Sequence, residues 1–297
     1  MDGSIEMFMS ICDELNIKCT ILSKDWVFML EKDGITRFFV GSKSGINNYA
    51  LGRIVDDKYA LYSVLKAKGL PVAEYNIVYG ENNKYKYAIG CNSLDYVKKY
   101  FDDHNCEIVL KPNCGTCGND VYRVKDVTEL EEIYYKLTNR YFSISMSPFY
   151  HIKNEYRLIV LDGEVRGSYK KIRPIVYGDG IHSIKELLID FNSNYFEKKL
   201  NDSIYDRVLN DGEKYEYSWK FNLSLGAISS EITDKVLLEK LESIALTAAK
   251  EVGLRFGSID IIITEDDELL IIEMNSGVML YEKTKPLYKE VILKMFE

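Results

Sequence analysis

Three oxygen-bearing side chains near the end of the chain stand where polar groups are least expected. Asp260 interrupts the apolar run Ser258-Ile259-Asp260-Ile261-Ile262-Ile263, and Glu273 and Asn275 lie two apart in Leu269-Leu270-Ile271-Ile272-Glu273-Met274-Asn275. The polar stretch Thr264 to Glu268 between them makes the two runs a β-hairpin. Side chains alternate along a strand, so Glu273 and Asn275 point to one face. Acids are costly to bury among Ile and Leu unless a cation accompanies them. Converging carboxylate and amide oxygens suit Mg²⁺, which takes one or two carboxylates and leaves other positions to water and phosphate oxygens. The alternative is a hairpin whose edge acids face solvent.

A second cluster lies upstream. The strand-like Glu107-Ile108-Val109-Leu110 delivers Lys111, and the small-residue loop Pro112-Asn113-Cys114-Gly115-Thr116-Cys117-Gly118 follows. Glycines admit a ligand close to the backbone, successive N–H groups in such a loop cup an anion, and lysine adds a point charge for phosphate. No Gly-Lys-Ser/Thr follows the glycines, so this is not a Walker loop. Alone, the loop also reads as an ordinary hairpin turn. Cys114 and Cys117 form a C-x-x-C, but no second pair stands nearby and the histidines at 104, 151 and 182 form no spaced ligand set. Small-residue packing is the preferred reading of the pair, with redox or zinc chemistry the alternative.

The elements that must position these groups alternate in type. A helix is expected over Glu6 to Leu15, then strands over Cys19 to Leu22, Trp26 to Glu31 and Thr36 to Val40, with Asp33-Gly34 as a hairpin turn. Asp57 to Lys68 reads as an amphipathic helix ended by Gly69. Strands follow at Ala73 to Val78 and Ile108 to Lys111, and helices at Ser93 to Tyr100 and Glu129 to Leu137. Beyond Phe142, long strands alternate with helices at Ile184 to Phe191, Lys235 to Val252 and Tyr288 to Phe296. The layout is α+β.

The chain of 297 residues is long enough for one large or two to three small domains. A net charge of −8 argues against a general nucleic-acid binder. Six cysteines at irregular spacings fit a reducing compartment better than a disulfide framework. No apolar run approaches the length of a membrane span, and the N-terminus lacks a signal peptide's pattern. The expected location is the cytoplasm, with no nucleic-acid or membrane partner.

Taken in order, the blocks resemble the ATP-grasp superfamily, in its carboxylate–amine ligase branch. They are Asp57-Lys58 opening a helix, Lys111-Pro112 with the glycine loop, Glu155-Tyr156-Arg157 entering a strand, Gly178-Asp179-Gly180-Ile181-His182-Ser183-Ile184 before Glu186-Leu187-Leu188, Asn222-Leu223-Ser224-Leu225-Gly226, and Asp260, Glu273 and Asn275. The similarity runs from about Asp57 to the C-terminus, and the Gly178 to Leu188 run is most like cyanophycin synthetases and bifunctional glutathione synthetases.

The resemblance implies two α+β lobes clasping ATP, residues 57–147 and 148–297, preceded by a small reduced α/β domain over 1–56. It implies an ATP-dependent ligase that makes an amide through an acyl phosphate on amino-acid or small-peptide substrates, releasing ADP and phosphate. The alternative is an ATP-binding partner subunit or a phosphoryl transferase on the same fold. In the implied roles, Lys58, Lys111 and the loop Gly115, Thr116, Cys117 and Gly118 hold phosphates, and Phe149 and His151 offer backbone groups to adenine. Glu155 takes the ribose hydroxyls; its alternative is an edge acid paired with Lys153 or Arg157. Lys171 or Arg173, according to register, serves the acyl phosphate together with Lys220 and Asn222. Asp260, Glu273 and Asn275 hold two Mg²⁺ ions, for which Mn²⁺ can substitute. Lys220 stands where relatives often have arginine, and Ser276-Gly277-Val278-Met279 replaces their Pro-Gly turn, so the identity of the acceptor does not transfer. The substrates remain unnamed at this stage, and a homodimer stays open.

Overall fold

The computed structural model describes residues 3–23, 26–80, 90–115 and 118–297. Thr116 and Cys117, and with them part of the phosphate loop and the second cysteine of the C-x-x-C, lie outside the described residues. Helix α1 (Gly3–Glu14) precedes the antiparallel sheet β1 (Lys18–Leu22), β2 (Val27–Lys32) and β3 (Ile35–Val40). The β2–β3 turn places Asp33 at φ 50° and Gly34 at φ 77°, the pair of positive angles that a tight hairpin turn requires. Phe8, Phe28 and Phe39 from this layer pack with Tyr288 of the last helix and with Ile159 and Phe256 of the largest sheet. The N-terminal layer thus shares a core with the C-terminal end of the chain.

Two short helices follow, α2 (Tyr49–Asp56) and α3 (Lys58–Ala67). The sequence reading contains the second but not the first. Asp57 joins them: its backbone N–H closes α2 on Ile54, and its carboxylate accepts from Ala60 N to cap α3.

The first lobe is the sheet β4 (Asn76–Tyr79), β5 (Ile108–Pro112), β6 (Tyr122–Val124) and β7 (Ser143–Pro148), in the order β4-β7-β5-β6, covered by α4 (Leu94–Asp103) and α5 (Val127–Thr138). The second is built on long antiparallel strands: β8 (Ile152–Leu161), β9 (Glu164–Ile172), and, after an insertion, β12 (Ile228–Ser230), β13 (Phe256–Thr264) and β14 (Leu269–Asn275), in the order β12-β9-β8-β13-β14. The insertion pairs β10 (Ile175–Tyr177) with β11 (Lys214–Glu216) and packs α6 (Ile184–Phe191) and α7 (Ser193–Phe196) on them. Helix α8 (Lys235–Val252) lies with α2 and α3 against one face of the large sheet, and α9 (Lys285–Lys294) closes the chain. The core under α3 therefore belongs to the second lobe's sheet.

The hairpin expected from the two apolar runs is β13–β14, and Asp260 sits directly opposite Glu273. The register then slips so that Ile261 faces Ile271, leaving Ile272 as the extra residue of a bulge.

Candidate functional site

The large sheet presents a row of charged side chains on one face. Arg157 on β8 is opposite Asp260 on β13, which is opposite Glu273 on β14; Glu155 on β8 is opposite Lys171 on β9. Asp260 is 2% exposed and is held from two sides. Arg157 donates from Nε and Nη2 to its two oxygens, at 2.6 Å each, and Lys171 Nζ donates to Oδ2 at 2.9 Å. Lys171 also donates to Glu155 Oε1. Burial works to raise the Asp260 carboxyl, but Arg157 and Lys171 override it and hold the group well below the usual carboxylate range. Burial raises Glu155, with Lys171 offsetting it only in part. Desolvation works against the charge on Lys171, yet Asp260 and Glu155 outweigh it and raise its pKa.

Glu155 is thus paired with Lys171, not with the Lys153 or Arg157 considered as partners from sequence; Lys153 bonds Asp267. The register question at 171 and 173 has a clear geometric answer. Lys171 faces into the sheet at 4% exposure. Arg173, beyond the end of β9, pairs with Glu216 at 2.8 Å and stacks on the Phe221 ring at 4.8 Å.

Two lysines reach this face, Lys58 from the start of α3 and Lys111 from the first lobe. Lys58, the first residue of α3, donates to the carbonyl of Gly115 at 3.0 Å and lies 4.0 Å from Glu273. Lys111 near the end of β5 donates to the Tyr75 hydroxyl at 3.0 Å and feels the fields of Glu273 and Glu155. Burial lowers both, and brings Lys111 down to about 8. Tyr75 in turn donates to the carbonyl of Ile272, the bulge residue, at 3.1 Å. The bulge frees an acceptor that an unbroken ladder would have used. Tyr75 carries no pattern in the sequence that announces this link.

The far end of the glycine loop meets the insertion. Lys220 Nζ donates to the Gly118 carbonyl at 3.4 Å. Gly118 has φ 68°, so the backbone favours glycine there, and a Cβ would lie 2.6 Å from Asn222 Nδ2, displacing that side chain. Asn222 accepts from Ser224 N and caps the short turn Leu223–Leu225. Lys220, Asn222 and, through Phe221, Arg173 therefore gather at one end of the loop, and Lys58 at the other.

The segment joining the lobes carries Phe149 and His151. Phe149 N bonds the carbonyl of Glu107 at 3.1 Å, and its ring lies beneath the Arg123 guanidinium at 3.7 Å. His151 lies edge-on to it, and Trp219 packs against it at 5.4 Å between centroids. Trp219 and Arg123 were missed from sequence, because neither falls in a periodic or glycine-bounded motif.

Mg²⁺ suits part of the acidic set. Glu273 and Asn275 are half-buried, and Glu273 has a lysine no nearer than 4.0 Å, so a carboxylate and an amide oxygen face the cleft. Asp260 instead has both oxygens engaged by cations. Among the described residues no cluster of three or more His, Cys, Asp or Glu has metal-binding geometry, and no helix is long and apolar enough to cross a membrane.

Comparison with known proteins places this arrangement. Residues 203–297 match the RimK-like ATP-grasp domain. The chain is 24% identical over 292 residues to the glutathione biosynthesis bifunctional protein of Enterococcus faecalis, covering 90% of this chain and 37% of that one. It is 23% identical over 248 residues to the cyanophycin synthetase of Trichormus variabilis, covering 74% of this chain and 26% of that one. The chain thus spans well under half the length of these relatives. A bifunctional glutathione synthetase from Pasteurella multocida superposes with a TM-score of 0.59 at 17% identity, over 100% of this chain and 44% of that one. D-alanine–D-alanine ligase from Bacillus anthracis does so at 0.53 and 13% identity, over 82% and 66%. Residues 203–297 are thus similar to a RimK-like ATP-grasp domain, and the two sheet-based lobes share the fold of these ATP-grasp ligases.

Proposed function

We propose that the chain is an ATP-dependent carboxylate–amine ligase that works through an acyl phosphate. The observation that carries this reading is the convergence of Lys58 from α3 and Lys111 from the first lobe on Glu273, next to the Arg157–Asp260–Lys171 row. Phosphoryl transfer needs charge stabilisation and positioning more than a protein nucleophile, and these residues supply both.

In this reading Lys58, Lys111 and the glycine loop grip the triphosphate, and the Phe149–Trp219–Arg123 cluster flanks the base. A divalent cation would be held by Glu273 and Asn275, with Asp260 joining only if Arg157 or Lys171 let go of it; bound there, the cation neutralises phosphate charge. A substrate carboxylate oxygen attacks the γ-phosphorus, the bond to the bridging oxygen breaks, and ADP leaves. Lys171 and Arg157 place positive charge on the same sheet face, where the acyl phosphate gathers negative charge. An amine then attacks the acyl carbon, loses a proton and expels phosphate, leaving an amide. The amino-acid or small-peptide nature of the substrates rests on the relatives' names.

Incubation with MgATP and a panel of amino acids and dipeptides tests this. ADP and phosphate should form in step with amide, and with hydroxylamine in place of the amine a hydroxamate should accumulate. Pyrophosphate as the stoichiometric product would mean adenylation. A phosphorylated product without amide would mean a phosphoryl transferase on the same fold.

A further inference from the structure

Beside the charged row, a cavity of about 600 Å³ opens between the N-terminal layer and the segment that follows β14. Its walls include Met7 and Phe8 of α1, Trp26, Phe28 of β2, Met279 and Tyr281, and none of its lining residues is charged. The size is that of a small-molecule site. Two large apolar side chains remain open at its rim, Trp26 at 60% and Met279 at 76% exposure. Soluble chains usually bury such groups unless something covers them.

The cavity adjoins the charged face through the segment that follows β14. Asn275 ends β14, and four residues later Met279 forms the cavity wall. The connecting turn is fixed against the N-terminal layer: a Cβ on Gly277 would lie 2.2 Å from the Ser42 carbonyl, so the two backbones touch there. Tyr288 donates to the Val278 carbonyl and fixes the turn from below. Tyr281 stands at the junction, since it lines the cavity while its phenol senses Arg157 and Tyr169 of the charged face. Tyr281 thus puts the cavity wall within the field of Arg157, the sheet residue opposite Asp260.

We propose that this cavity is a specificity site for a large apolar side chain of the substrate, as on a leucine- or phenylalanine-like amino acid or the residue of a dipeptide. The proposal rests on the ligase reading for the chemistry at the polar end. A lining without charge rejects an acidic side chain by desolvation, and a small one leaves the walls of Trp26 and Met279 unfilled. Complete burial of a leucine or phenylalanine side chain favours it over glycine by about tenfold or more.

The test reads binding apart from turnover. The chain has two tryptophans, so a Trp219→Phe variant leaves Trp26 as the sole reporter. Its fluorescence should respond saturably to L-leucine or L-phenylalanine, and to glycine or L-aspartate only at tenfold or higher concentration. Met279→Asp, a change at an exposed position, should weaken the leucine response about tenfold or more without altering the far-ultraviolet circular dichroism. An equal response to all four amino acids, or none, overturns the proposal. So does a signal that tracks protein concentration instead of ligand, which would assign the surface to a second copy of the chain. Failure of the ligase reading appears differently: leucine would bind as expected, yet no acid and amine would yield ADP.

Discussion

Asp260 and Glu273 are neighbours across two strands, but their surroundings assign them different work. Asp260 neutralises the buried Lys171 and the half-buried Arg157, and breaking a buried pair on one side costs about 3–5 kcal/mol because a charge is left uncompensated. Asp260→Asn should therefore lower the thermal midpoint markedly. Glu273→Gln should leave the midpoint within a degree or two while removing nearly all ATP turnover. The two measurements together separate a structural acid from a metal ligand, and near-normal turnover of Glu273→Gln at saturating Mg²⁺ would remove it from the site. Lys111 supplies a pH signature. Burial lowers its pKa to about 8, so in the free protein its charge is lost as pH rises through that value. A triphosphate stabilises the charged form, so binding at pH 8.5 should take up a proton, and affinity should fall as pH rises above 8. Calorimetry of a non-hydrolysable ATP analogue in buffers of different ionisation enthalpy reads the uptake directly. Lys111→Met should abolish it.

At the scale of elements, the glycine loop is held at both ends, by Lys58 on Gly115 and by Lys220 on Gly118, with Asn222 beside it. Gly118→Val forces a branched side chain into a left-handed backbone and onto Asn222. It should weaken nucleotide affinity about tenfold or more by calorimetry, and unchanged affinity would place the phosphates elsewhere. Much of this layout was legible in the sequence. The β13–β14 hairpin announced itself by its two β-branched runs, and α3, α6 and α8 by their caps and apolar periods. The helix α2 did not, because it spans only eight residues and Gly52 lies inside it, although Asn48 caps it through Leu51 N. The pairing of Asp260 with Arg157 was also hidden. It depends on two strands about a hundred residues apart lying side by side, which no local pattern records.

Across the whole molecule, Asn47 links the N-terminal layer to the large sheet. Its side-chain oxygen accepts from Arg255 N and Phe256 N, and its amide donates to the carbonyls of Phe256 and Ser276. Four bonds from one half-buried side chain bind the start of β13 to the end of β14. Asn47→Ala should cost about 2–4 kcal/mol and lower the midpoint by roughly 5–10 °C. A change of under one degree would mean that the layer is held by its aromatic core alone, through Phe8, Phe28, Phe39 and Tyr288. The order of the lobes could be inferred from sequence, but the shared core of the first forty residues and the last helix could not. Its apolar positions are split between the two ends of the chain.

The Tyr75 hydroxyl has one proton, and that proton is committed to the Ile272 carbonyl. Its lone pairs are what remain for Lys111, so the lysine must be the giver in that bond whether it carries three protons or two. The direction of the chain Lys111 to Tyr75 to Ile272 is thereby set once and does not reverse on titration. Lys111 keeps its place when it loses its charge, and what pH changes at this point in the cleft is the potential, not the shape.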